Sequence, residues 1–351
     1  MRLLPIRDLR IKLLLLSVMH LATDGLCAYL VFARLYPENP DLAFVVFLGY
    51  NALAFVTQSP LGLLIDKYNM PKIFLTASAV MILLGYISAP ICLLATLFIG
   101  LGNSAFHVAG GKYISDKSGN DVSCLGIFVS TGAVGLALGN LYSAFYPLPY
   151  ILFGMFLTCL VLILVSEDAE DRECHKYFYG GLDSVVAIAL VLAVVLARSF
   201  VGRVAAYDFT ATELLLILIP IATALGKAVG GIASRLFGTV PTLAVSMLTA
   251  AVCLTLGTSS PIMYILGVFA FNFSMPMTLY YANIIMKGRE GFAFGTLAAI
   301  LFPGYILALS CNYSIWMRLL TAALCLGSVA VIILISRRVK NADCTSSDNN
   351  N

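Results

Sequence analysis

The sequence predicts an all-α polytopic membrane protein in which about twelve transmembrane helices form two six-helix bundles. Of the 351 residues, 60% are hydrophobic and only 11% are charged, and the mean hydropathy is +0.96. About a quarter of the residues of a typical soluble domain are charged. No soluble core could bury this much apolar surface, so most of the chain must be solvated by lipid.

The apolar residues fall into segments of roughly 20 residues, the length that crosses the hydrocarbon core of a bilayer. We place these segments near residues 12–35, 42–66, 72–89, 91–113, 122–145, 147–166, 184–204, 212–235, 239–257, 260–285, 291–312 and 315–336. Most of the connections are very short, so consecutive helices must be antiparallel neighbours.

One long polar connection divides the chain into two halves of about six helices each, which indicates a duplicated architecture. We therefore expect an N-terminal six-helix bundle over 1–166, a cytoplasmic linker over 167–183 and a C-terminal bundle over 184–337. A polar cytoplasmic tail over 338–351 completes the predicted organisation.

The positions of Lys and Arg predict the orientation, because cytoplasmic loops are enriched in both. With a cytoplasmic N-terminus, only Arg34, Arg203 and Arg318 lie on the outer side. Both termini are then cytoplasmic, and the expected location is the inner membrane of a bacterium. The first apolar segment lacks a clear cleavage site and is read as an uncleaved helix. The net charge of +3 is too small and scattered to favour nucleic-acid binding.

The loop between the second and third segments reads GLLIDKYNMPK, from Gly62 to Lys72. It resembles the loop signature of the major facilitator superfamily, Gly-x-x-x-Asp-Arg/Lys-x-Gly-Arg-Arg/Lys, with Gly62, Asp66, Lys67 and Lys72 in matching positions. Asn69 replaces the second glycine, and Asn is the next best residue in a left-handed conformation. We expect Gly62 to allow close helix contact and Asp66 to reach a helix N-terminus or a basic partner in the neighbouring half.

A weaker copy of this loop, GGIASRLFGTVP, stands between the eighth and ninth segments and contributes Arg235 to the expected gating loops. The fifth segment carries Gly132, Gly135 and Gly139, a spacing typical of close helix packing. The first and fourth segments are also similar to fosmidomycin-resistance-type efflux carriers, which have a His and an Asp in helix 1 and an Ala-x-Phe-His or Phe-His-Pro element in helix 4. This sequence has Ala105-Phe106-His107 there, with Val108 in place of the proline.

In this sequence the first of those elements is His20 with Asp24, and the second ends at His107. Asp24 is roughly 18 Å into the bilayer, counting from Lys12, and a carboxylate at the centre costs about 3 kcal/mol even on a lenient scale. It must face other helices or a water-filled cavity, either as a titrating or substrate-facing group or as a structural acid. Each histidine is either a titrating group or a neutral link between helices, and Asn103 lies one turn before His107.

The second half offers further candidates for the substrate cavity. Arg198 is a counter-charge for Asp24, an anion-binding group or a side chain that extends outward. Lys227 contacts substrate or reaches toward the cytoplasmic surface. Near Pro276, which predicts a kink, Asn272 and Tyr280 are expected to line the cavity.

The resemblance implies a secondary active transporter, with proton-coupled export of a small organic compound by alternating access. Its expected partners are a small-molecule substrate, protons and the lipid bilayer, and the expected state is a monomer. The sequence predicts no enzyme activity, no cofactor and no metal site, since it contains no nucleotide-binding loop, zinc-protease motif or nucleophile elbow. Uptake of an organic anion, or a non-transporting receptor or assembly protein that retains the fold, are the alternatives.

Overall fold

The computed structural model describes residues 8–169, 182–205, 212–257, 259–311 and 314–348. We number its helices α1 to α12 in chain order. Their bounds are Leu9–Glu38, Pro40–Tyr68, Pro71–Ile87, Cys92–Ser118, Val122–Leu141, Leu148–Val165, Leu182–Val204, Glu213–Phe237, Thr239–Leu256, Pro261–Ile285, Glu290–Leu309 and Ile315–Asp348. This architecture confirms the prediction of an all-α polytopic membrane protein.

Within the described residues, eleven helices are long and apolar enough to cross a membrane, and the twelfth, α3, is a shorter apolar helix of 17 residues. At 1.5 Å per residue α3 rises about 26 Å, close to the thickness of the hydrocarbon core. Each helix overlaps one predicted segment. The largest differences are at the ends of α4 and α12, which extend to Ser118 and Asp348, because hydropathy detects the lipid boundary and not the end of the hydrogen-bonded helix.

Several of the helices are interrupted. A π-helical turn at Val31–Leu35 lies within α1, and α10 consists of Pro261–Phe271 followed by Ser274–Ile285. The break in α10 is explained by Pro276, whose ring would clash with the carbonyl of Asn272 one turn earlier and which has no N–H to donate. The kink predicted at this proline is thus present.

The chain forms two compact units. Unit 1 comprises Met1–Ser118, Ile127–Arg172 and Glu290–Ala299, and unit 2 comprises Gly119–Gly126, Glu173–Arg289 and Ile300–Asn351. Most of the predicted 167–183 linker lies outside the described residues, and the domain boundaries drawn from the sequence stay a prediction.

In unit 1, α5 packs directly on the backbone of α1 through its glycines. A β-carbon at Gly135 would lie under 3.0 Å from the carbonyl oxygen of Leu21, and one at Gly139 would be equally close to the carbonyl oxygen of Gly25. Because a backbone oxygen cannot rotate away, only glycine allows this approach. The contact fixes the face of α1 on which His20 and Asp24 lie.

Candidate functional site

A cluster of four polar side chains lies inside unit 1, on two helices that are otherwise apolar. His20 and Asp24 project from α1, and Asn103 and His107 project from α4. Each pair is four residues apart, so each pair faces the same side of its helix. His20 is only 4% exposed, whereas the side chains of Asp24 and His107 retain 19% and 15% exposure.

The carboxylate of Asp24 is the anionic centre of this cluster. Its Oδ1 accepts a hydrogen bond of 2.8 Å from Asn103 Nδ2. Its Oδ2 lies 3.4 Å from His20 Nε2, and its Oδ1 lies 3.6 Å from His107 Nε2. A buried carboxylate must be paired and hydrogen-bonded, and this arrangement supplies both conditions from neighbouring side chains of unit 1.

The two imidazoles are oriented by backbone carbonyl groups. His20 Nδ1 is 2.8 Å from the carbonyl oxygen of Phe128, and His107 Nδ1 is 2.9 Å from that of Asn103. The remaining ring nitrogens, His20 Nε2 and His107 Nε2, face each other at 2.9 Å. The rings of Phe106 and Phe128 pack against His20 and give this side of the site an apolar wall.

The backbone of α5 closes another side of the cluster at Gly132. A β-carbon at this position would lie under 3.0 Å from both Asp24 Oδ2 and His20 Nε2. The ligand atoms of His20, Asp24 and His107 all lie within 4.8 Å of one another. The three residues therefore form one compact group of ionisable side chains.

A second charged group surrounds Asp66, near the C-terminus of α2. Its Oδ1 accepts a hydrogen bond of 2.9 Å from the backbone N–H of Gly291, and its Oδ2 accepts one of 2.7 Å from that of Phe292. These N–H groups belong to the first turn of α11, where the helix dipole favours an anion. Lys112 Nζ lies 3.2 Å from Asp66 Oδ1 and 3.0 Å from Asp116 Oδ2.

The loop residues beside Asp66 have the backbone geometry that the sequence indicated. A β-carbon at Gly62 would lie under 3.0 Å from the carbonyl oxygen of Gly291, so glycine is required for this approach. Asn69 ends α2 in the left-handed region, with φ of 50°, which confirms the reading of Asn69 as a substitute for glycine.

The basic residues of the predicted gating loops have partners of their own. Lys67 Nζ lies 5.3 Å from the ring centroid of Tyr68. Lys72 pairs with Asp168 at 3.0 Å. In unit 2, Arg235 pairs with Asp121 at 2.9 Å. The acidic partner of Arg235 thus lies in the connection before α5.

The cavity candidates of unit 2 lie on three helices. Arg198 Nε, on α7, is buried and has no hydrogen-bond partner among the described residues. Lys227 is a half-buried residue of α8. On α10, Asn272 Nδ2 donates to the carbonyl oxygen of Val268 at 2.8 Å, and Tyr280 is half-buried.

Sequence reasoning did not identify two polar groups that the structure brings out. The first is Lys112 with Asp116, whose four-residue spacing at the end of an apolar run was an available signal. The second lies in unit 2, where Asn120 Nδ2 donates to the carbonyl oxygen of Tyr280 and Asn283 Nδ2 donates to Asn120 Oδ1. Asn120 is in the left-handed region, with φ of 61°, which sequence alone did not show.

The fold is similar to those of solved transporters, one of which is described as a major facilitator superfamily transporter. A singly substituted form of the E. coli fucose:proton symporter FucP is similar with a TM-score of 0.67 at 14% identity, over 94% of this chain and 98% of the other. FucP in the outward conformation gives 0.69 at 13% identity, over 94% and 98%. The human organic anion transporter MFSD10 (TETRAN) gives 0.66 at 14% identity, over 95% and 99%.

No family model and no curated protein sequence matches this chain. At these identities the structural similarity establishes the fold, which is the one predicted from the loop signature and the helix count. The substrate, the direction of transport and the coupling ion are inferred instead from the chemistry of this chain's own residues.

Proposed function

We propose that this protein is a secondary active transporter that exports a small organic compound by alternating access, driven by the proton gradient. The observation that carries the proposal is the cluster of His20, Asp24, Asn103 and His107 inside a lipid-solvated helix bundle. Ionisable groups at membrane depth are expensive and mark ion or substrate pathways. Transport without a nucleotide-binding motif requires an ion or substrate gradient.

In this proposal Asp24, His20 and His107 bind the proton, and Arg198, Lys227, Asn272 and Tyr280 are the substrate-cavity residues that unit 2 contributes. The loops containing Gly62, Asp66, Lys67, Lys72 and Arg235 control the conformational change. The proposed location is the inner membrane of a bacterium, with both termini cytoplasmic and the protein a monomer.

The test is transport by the purified full-length protein in proteoliposomes that contain a pH-sensitive dye. Fosmidomycin is the first probe, because helices 1 and 4 resemble carriers of that type, and a panel of small organic acids and amines follows. We expect at least one compound, added on one side, to move protons across the membrane, and an imposed pH gradient to drive that compound against its own concentration gradient. Transport of the same compound by the Asp24→Asn variant at the wild-type, pH-dependent rate would contradict the proposal.

Uptake of an organic anion is the second candidate, and one observation favours it. The buried Arg198 Nε has no hydrogen-bond partner among the described residues, and a guanidinium with an unsatisfied N–H is a strong binding group for a carboxylate or phosphate. Under this alternative, Arg198→Gln raises the KM for an anionic substrate, whereas Arg203→Gln, an exposed position near the end of α7, leaves it unchanged. Net inward movement of the anion would favour uptake over export.

A further inference from the structure

The hydrogen-bond partners of the two histidines determine which ring nitrogens carry hydrogen. His20 Nδ1 faces the carbonyl oxygen of Phe128 at 2.8 Å, and His107 Nδ1 faces that of Asn103 at 2.9 Å. A carbonyl oxygen can only accept a hydrogen bond. Both Nδ1 atoms must therefore be donors, and each ring holds one hydrogen on the side that faces away from its partner.

The facing atoms, His20 Nε2 and His107 Nε2, then have only one favourable arrangement. If both imidazoles were neutral, two lone pairs would oppose each other at 2.9 Å. If both were imidazolium ions, two N–H groups would collide at the same distance. One hydrogen between the two atoms forms an ordinary hydrogen bond of this length. The pair therefore holds three N–H hydrogens and carries one positive charge.

The surroundings are arranged for one such charge. Asp24 supplies the opposite charge at 3.4 Å from His20 Nε2 and at 3.6 Å from His107 Nε2, and Asn103 holds the carboxylate in place. The charge of Asp24 also acts on two further titratable side chains, Cys27 and Tyr50. The rings of Phe106 and Phe128 and the backbone of Gly132 also pack on His20.

The distances favour a proton over a metal ion in this position. Ligands 2.0–2.1 Å from a tetrahedral ion are separated from one another by about 3.3 Å. The two Nε2 atoms are closer than this, at the separation of a hydrogen bond.

We propose that His20 and His107 share one proton, which links α1 to α4 and is neutralised by Asp24. The further claim that this is the transported proton rests on the function proposed above. Loss of the shared proton leaves two opposed lone pairs beside a carboxylate, so the His20–His107 hydrogen bond between α1 and α4 is broken at that moment, while the Asn103–Asp24 bond can persist. Proton release and loss of this hydrogen bond are then one event.

The test is nuclear magnetic resonance spectroscopy of the full-length protein in lipid nanodiscs, with the histidines labelled with ¹⁵N. The chain has three histidines, and His175→Gln removes the signals of the one that is not in the pair. At neutral pH we expect two protonated Nδ1 atoms, one proton on the two Nε2 atoms, and nitrogen–nitrogen coupling across that hydrogen bond. The coupling should disappear in the His107→Gln variant and persist in His175→Gln.

Two neutral imidazoles, two imidazolium ions, or the absence of this coupling in the wild-type background would overturn the proposal. Appearance of the coupling only after treatment with a chelator would assign the position to a metal ion and would overturn it too. The wild-type measurement is decisive even if His107→Gln does not fold. Absence of proton-coupled transport in proteoliposomes, with the coupling present, would remove the proposed function and leave the shared proton intact.

Discussion

The carboxylate of Asp24 accepts a hydrogen bond of 2.8 Å from the side-chain amide of Asn103, and this bond joins α1 to α4 in the lipid-solvated part of unit 1. The amide orients the acid toward both imidazoles. A membrane helix that carries an acid at this depth thereby avoids exposing it to lipid, which explains how α1 tolerates the polar residues His20 and Asp24.

Asp24→Asn should abolish the response of transport to a pH gradient, because the amide cannot compensate a positive charge on the histidine pair. The measurement is dye-reported proton movement in proteoliposomes, at matched protein content. Asp41→Asn, an exposed position at the start of α2, is the control and should behave as wild type. Full pH-dependent transport by Asp24→Asn would mean that Asp24 is a structural acid.

The thermal stability of the Asp24→Asn, His107→Gln double variant should show whether Asp24 and His107 are energetically coupled. Removing one member of a buried charge pair leaves the other uncompensated and costs about 3–5 kcal/mol, whereas removing both costs less. We therefore expect Asp24→Asn combined with His107→Gln to melt at a higher temperature than Asp24→Asn alone. If the two single effects on the melting temperature simply add, Asp24 and His107 are not energetically coupled.

Gly132→Ala should damage the site without changing any of its polar groups. The added β-carbon would lie under 3.0 Å from Asp24 Oδ2 and His20 Nε2, and overpacking of this kind typically costs about 1–3 kcal/mol. Transport and thermal stability should both fall. Gly154→Ala on α6 is the matched control, because nothing lies within 4 Å of its added β-carbon and alanine favours the helix by up to about 1 kcal/mol. Equal effects of the two changes would show that Gly132 is not a contact position.

Asp66→Asn should leave the protein inserted in the membrane but slow its conformational cycle. The change removes the charge that Lys112 and the first turn of α11 stabilise, an effect of about 0.3–2 kcal/mol for a carboxylate at a helix N-terminus. Substrate binding should survive better than transport, measured as compound-induced thermal stabilisation against the rate of counterflow. An equal loss of binding and transport at normal expression would argue that Asp66 has no part in the conformational change.

Reporter fusions test the predicted orientation. Fusions after Glu173 and after Asn351 should report a cytoplasmic location, and a fusion after Asn39, in the connection between α1 and α2, should report the outer side. Activity of a periplasm-specific reporter at Glu173 or Asn351 would overturn the orientation.

Hydropathy and the position of the long polar connection were enough to predict twelve helices, because lipid imposes a length that the sequence must satisfy. His20, Asp24, Asn103 and His107 were identified because polar residues are conspicuous in apolar segments. Their mutual contact was not predictable, since it depends on how α1 rotates against α4. The sequence also could not show which helix N-terminus binds Asp66, because Asp66 binds backbone N–H groups of α11 and every residue type except proline has such a group.

Gly135 and Gly139 bring the backbones of α5 and α1 into direct contact, and this has a mechanical consequence. Close backbone contact at these two glycines leaves the helices little room to slide or tilt against each other there. A displacement of α5 beside Gly132 and Gly135 should therefore be passed directly to His20 and Asp24 on α1.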